Sequence, residues 1–200
     1  MEWYTFPNLR RLDISRFAVG RRFSLPPSLV ELRFRQCIIN EDCDLVRLDA
    51  PNLVLPELRY LILSDTPVEL WTVRKFIGAT PRLDILHIDD CLDTVFYRKT
   101  HWLNFGSYRN LVELDISGTE CVTDAYVRRL VIGLTRLKIL DLSFTRISPK
   151  TMKMLADHRG MCDNYPSLDR LHVRGCRHVS FYWCEYAQSK GIEVSQESEH

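Results

Sequence analysis

Four side chains able to ligate a metal or move a proton recur at matched intervals: His87, Asp115, Asp141 and His172, spaced 28, 26 and 31 residues apart. Two carboxylates flanked by two imidazoles could hold a divalent ion or serve as an acid–base pair. A second set, His172, Cys176, His178 and Cys184, has the spacing H-x3-C-x-H-x5-C, which matches no zinc pattern. The sequence holds no glycine-rich phosphate loop, no G-x-S-x-G elbow and no H-E-x-x-H pair. Whether the first four residues could act together depends on the elements that carry them.

Those elements are copies of one pattern, L-x-x-L-x-Φ-x-x-[C/T/F], with Φ aliphatic or Phe. Copies start at Leu9, Leu29, Leu58, Leu83, Leu111, Leu137 and Leu168. The intervals are those of leucine-rich repeats, with the last slightly long. In each copy the second and third apolar positions are two residues apart, so on a strand they face the same way. One such strand cannot bury that face alone. Stacked copies make a parallel sheet, covered on its inner side by the second half of each repeat. The ninth position is Cys or Thr in six copies, where a small side chain can hydrogen-bond the turning backbone.

The second halves read as helices. Thr123-Asp124 predicts a cap with an acidic first turn, followed by the face Val127, Leu130, Val131 and Leu134. Ser148-Pro149 caps a helix whose face is Met152, Leu155 and Ala156. Thr66-Pro67 predicts the same ahead of Leu70, Val73 and Ile77, with Gly78 as the stop. A last helix runs from Ser180 to Gly191, and Ile192 and Val194 begin a final, incomplete strand. The stretch from Asn40 to Pro56 predicts an irregular strand. Leu92–Ser107 is aromatic and is expected to cover the core of the fourth repeat.

The expected fold is an α/β leucine-rich-repeat solenoid, a right-handed superhelix of the ribonuclease-inhibitor kind. Its parallel sheet lies on the concave face and its helices on the convex face. Residues 1–194 form one domain of seven repeats, and 195–200 form a disordered tail. Apolar content of 46% supports one continuous core. A net charge of +1 gives no global electrostatic case for nucleic acid. No apolar run is long enough for a membrane span, and the start lacks the features of a secretory signal. Seven cysteines, three of them at equivalent ninth positions, predict reduced thiols in a cytoplasmic or nuclear protein. The first repeat is entered within nine residues of Met1. This predicts a piece of a longer protein, an edge that meets a partner, or a small aromatic cap of Trp3, Tyr4 and Phe6.

The stretch from Leu111 to Ala156, LVELDISGTECVTDAYVRRLVIGLTRLKILDLSFTRISPKTMKMLA, resembles the cysteine-containing repeats of F-box/leucine-rich-repeat proteins. The resemblance covers roughly residues 6–194. It implies a non-enzymatic recognition module, the substrate-binding part of a receptor in a cullin–RING ubiquitin ligase, with no cofactor. No F-box precedes the repeats in this sequence, so ligase subunits would dock through a segment outside it. The rival is a scaffold or regulatory binding protein with no ubiquitin link. A third reading is an enzyme or metal site in the His/Asp row.

In register, the third, fifth and seventh positions of each copy point away from the core. They form rows that expose an apolar cluster of Tyr60, Ile62 and Ile85. An acidic stretch follows, with Asp89, Asp90, Glu113, Asp115 and Asp141, and then a basic last copy with Arg170, His172 and Arg174. His87, Ile139 and the eighth-position Phe144 complete the expected partner-binding set. Such a face suits a protein segment carrying an apolar anchor and basic residues. The bland reading is that Asp115 and Asp141 merely repeat an L-D-Φ-S consensus. The His/Asp row would span about 14 Å at ~4.8 Å per strand, too far for one tetrahedral ion.

Overall fold

The computed structural model describes residues 6–20, 23, 25–39, 43, 54–68, 70–91, 110–119, 122–159 and 165–196. It divides into two compact units, residues 1–96 and 97–200. In both, every strand pairs in parallel and the strands are short.

The first unit holds β1 (Arg11–Ser15), β2 (Ala18–Val19), β3 (Glu31–Arg35), β4 (Ile38–Ile39), β5 (Tyr60–Ser64), α1 (Leu70–Ala79) and β6 (Ile85–His87). β1, β3, β5 and β6 pair in that order. Their registers align equivalent repeat positions: Leu12 lies beside Leu32, Leu32 beside Leu61, and Leu61 beside Leu86. Alternation then does the packing. Leu32, Phe34, Leu61, Leu63 and Leu86 are fully buried, while Glu31, Arg33, Tyr60 and Ile62 keep solvent contact. Each buried Leu or Phe side chain contributes about 1.5–3 kcal/mol. Leu12 and Ile14 on β1 are only half-buried. The repeat pattern did not predict β2 and β4, which pair through Ala18 with Ile38 and Val19 with Ile39.

The second unit holds β7 (Glu113–Asp115), α2 (Asp124–Val131), β8 (Ile139–Asp141), α3 (Pro149–His158), β9 (Arg170–His172), α4 (Phe181–Ser189) and β10 (Glu193–Ser195). β7, β8, β9 and β10 pair in sequence order. Leu114, Leu140 and Leu171 line up and are fully buried. Val127, Leu130 and Val131 of α2, and Met152, Leu155 and Ala156 of α3, are buried as their spacing predicts.

Helix ends differ from expectation in instructive ways. Ahead of α1, Thr66 is buried and its hydroxyl donates to the carbonyls of Phe34 (3.3 Å) and Ser64 (3.0 Å). Gly78 lies inside α1; the end is set by Thr80, whose hydroxyl donates to the carbonyls of Phe76 (3.0 Å) and Ile77 (3.2 Å). Thr123 sits at the α2 cap position but makes no capping bond. Leu134 is buried from the turn after α2 rather than from the helix, which stops before Gly133 at φ 89°. Ser148 caps α3 as expected, accepting from the Lys150 N–H at 3.3 Å, with Pro149 first in the helix. Ser195 closes β10. Residues 197–200, 44–53 and 92–109 lie outside the described residues, and with them most of the expected irregular strand and the whole aromatic segment.

Candidate functional site

The turn that leaves each strand is built the same way in all seven copies. Its eighth-position residue has a left-handed backbone: Arg16, Gln36, Asp65, Asp90, Gly118, Phe144 and Gly175, with φ between 45° and 69°. In most copies this residue's N–H donates to the seventh-position carbonyl of the next copy. Examples are Arg16 to Arg35 (2.9 Å), Gln36 to Ser64 (3.0 Å), Gly118 to Ser143 (2.9 Å) and Phe144 to Arg174 (2.6 Å). In four copies the ninth-position side chain donates to the sixth-position carbonyl of the copy before, while Thr145 donates to Leu142 of its own copy (2.6 Å). Cys37 reaches Ile14 (3.3 Å), Thr66 reaches Phe34 (3.3 Å), Cys176 reaches Leu142 (3.1 Å) and Cys91 reaches Leu63. These cysteines are therefore structural donors. Burial pushes the Cys91 thiol up to about 12, with the nearby Asp89 and Asp90 carboxylates adding to the rise. Burial likewise raises the Cys176 and Cys184 thiols.

On the first unit's outward face, Tyr60 stands beside Ile85 across the β5–β6 ladder, and Ile62 stands beside His87. Tyr60 is 37% exposed; Ile62, Ile85 and His87 are half-buried. The polar residues flanking this apolar cluster are engaged. Glu31 meets Arg33 at 2.5 Å and Arg11 at 3.2 Å. Asp89, also half-buried, accepts from the Ser64 hydroxyl at 2.9 Å.

On the second unit, Glu113 pairs with Ile139 and Ile139 with Arg170; Asp115 pairs with Asp141 and Asp141 with His172. Asp115 and Asp141 each spend one carboxylate oxygen on the backbone N–H two residues on, at Ser117 (2.9 Å) and Ser143 (2.8 Å). The L-D-Φ-S consensus is thus a turn device. Ser143, expected to face outward, is buried, and its hydroxyl accepts from the Arg174 N–H at 3.1 Å. Within neither unit do three His, Cys, Asp or Glu side chains among the described residues bring ligand atoms within 4.8 Å. Cys176 instead serves the backbone, and Cys184 donates to the Gln196 side chain at 3.3 Å.

Phe144 stands apart. It is 51% exposed, yet it holds a left-handed backbone (φ 58°) that costs a bulky residue about 1–2 kcal/mol. Its ring lies so close over Gly175 that a Cβ there would sit 2.4 Å from a ring carbon. The Arg174 guanidinium lies 5.4 Å from the ring centroid. Phe144 and Gly175 line a cleft of ≈ 440 Å³ together with Thr145, Arg146, Arg177 and His178.

The third- and fifth-position rows keep solvent contact within each unit as their spacing predicts, whereas Ser143 of the seventh-position row is buried, and the left-handed ladder was not predicted. Gly118, Gly175, Asp65 and Asp90 at one repeat position carry its signal, since such residues tolerate this conformation best. No family model matches the chain, and no curated protein matches it.

Proposed function

We propose that the chain is a protein-recognition module of the curved, leucine-rich-repeat α/β kind, which captures a partner segment on its outward strand face. The reading rests on Tyr60 and Ile85, which lie side by side and in contact with solvent while the charged residues around them are paired. A partly exposed aromatic beside aliphatic neighbours, rimmed by engaged polar groups, is the composition of a binding hot spot. Ile62 and His87 extend the patch. Glu113, Asp115, Ile139, Asp141 and Phe144 offer a second contact zone suited to basic and apolar groups. Within this class, the resemblance of Leu111–Ala156 favours the substrate-binding part of a ubiquitin ligase receptor.

The test is capture of partners from cell lysate by wild type and by the double variant Tyr60→Asp/Ile85→Asp. The expected result is loss of the specific partners with an unchanged circular dichroism spectrum. Unchanged capture by a folded double variant refutes the surface. Mass spectrometry of the same samples tests the ubiquitin link: Skp-type, elongin-type or cullin subunits are expected, and their absence leaves a scaffold or regulatory role.

A further inference from the structure

The helical side of the second unit carries a feature that the strand face does not explain. Between α2 and α3 lies a cleft of ≈ 840 Å³. Its rim holds Arg128 and Arg129 from α2, Lys150 from α3, and Arg146 from the turn before α3. Among the described residues Asp124 is the one carboxylate in its lining. That carboxylate is spent inside the fold. It accepts from the Ser148 N–H (2.8 Å), the Ser148 hydroxyl (2.6 Å) and the Thr151 hydroxyl (2.6 Å), tying the start of α2 to the start of α3. Arg128 and Lys150 form no ion pair among the described residues, and they face the cleft from opposite helices.

The cleft is not only charged. Ile132, just past the end of α2, is 45% exposed, and the half-buried Met154 lines the same cleft. The His158 ring, which donates to the Met154 carbonyl at 2.9 Å, stacks on Tyr165 at 4.5 Å and closes one wall. An apolar floor between Arg128 and Lys150, with the one carboxylate among the described lining residues turned onto Ser148 and Thr151, complements an anionic chain that also carries an apolar side chain.

We propose that this α2–α3 cleft is a second docking site, independent of the strand face, for an acidic peptide segment of a partner protein with an apolar anchor. Its charges are confined to one cleft rather than drawn into the long track that a nucleic-acid backbone needs. The anchor lies over Ile132 and Met154, and the flanking carboxylates meet Arg128 and Lys150.

The experiment is selection of a random peptide library on the immobilised full chain, followed by fluorescence polarisation with the enriched peptides. Enrichment of sequences holding Asp or Glu around an apolar residue is expected. Their affinity should fall at least about tenfold in Arg128→Glu/Lys150→Glu, and also in Ile132→Ser, which keeps every charge. Arg128→Gln/Lys150→Gln gives the milder check, with thermal unfolding reporting the fold. Enriched peptides that are not acidic, or that bind the charge-reversed chain equally well, overturn the proposal. Heparin and single-stranded DNA are run alongside. If they outcompete the peptides, with affinity lost on charge reversal but unchanged in Ile132→Ser, the site is a polyanion site and the peptide assignment is wrong. Tyr60→Asp/Ile85→Asp should leave peptide affinity unchanged, which separates this site from the strand face.

Discussion

Phe144 holds a conformation that the other copies give to Gly, Asp, Gln or Arg, and it gains little burial in return. Strain kept in an exposed aromatic points to use. Phe144→Asn should therefore leave thermal stability unchanged or raise it by up to about 1 kcal/mol, while weakening partner capture. Gly175 is the matching constraint, since its own φ is 66° and the Phe144 ring occupies the space a side chain would need. Gly175→Ala should cost about 1–3 kcal/mol in chemical denaturation. The buried thiols make an opposite case. With Cys91 pushed up to about 12, iodoacetamide at neutral pH should alkylate it in unfolded chain and spare it in folded chain, as read by mass spectrometry.

Among the elements, α2 and α3 are tied through one carboxylate. Partial burial raises the Asp124 pKa, but hydrogen bonds from Ser148 and Thr151 outweigh it and hold the carboxyl below its ordinary value of 3.8. A folded-state pKa below the unfolded one stabilises at pH above the unfolded value and is lost as pH falls through the folded one. Asp124→Asn should cost about 1–3 kcal/mol at neutral pH and flatten the acid limb of the stability curve, measured by urea denaturation from neutral to acidic pH. This tie was not legible in the sequence. Thr123-Asp124 reads as a local cap, and nothing local says that Asp124 answers Ser148 and Thr151 on the next helix. Strand positions were legible, because Leu, Ile and Phe two residues apart fix which face is buried. Helix ends were less so: Gly78 suggested a stop that the Thr80 hydroxyl provides instead.

For the molecule as a whole, parallel pairing of equivalent repeat positions follows from the leucine spacing, and it holds within each unit. No described helix is long and apolar enough to cross a membrane. The tempting His/Asp row illustrates what a repeat does to chemistry-bearing residues. Within the second unit it sets Asp115 beside Asp141 and Asp141 beside His172, yet Asp115 and Asp141 each hold their own turn. The same alignment makes Tyr60 and Ile85 neighbours, and recognition through the strand face requires that pair to touch a partner. Photo-crosslinking tests this directly, with p-benzoylphenylalanine placed in turn at Tyr60 and at Tyr182, an α4 residue that is 63% exposed. A discrete adduct from position 60, absent at position 182 and abolished by Ile85→Asp, is the predicted result. No adduct at position 60, or the same adducts from both positions, contradicts recognition through the strand face.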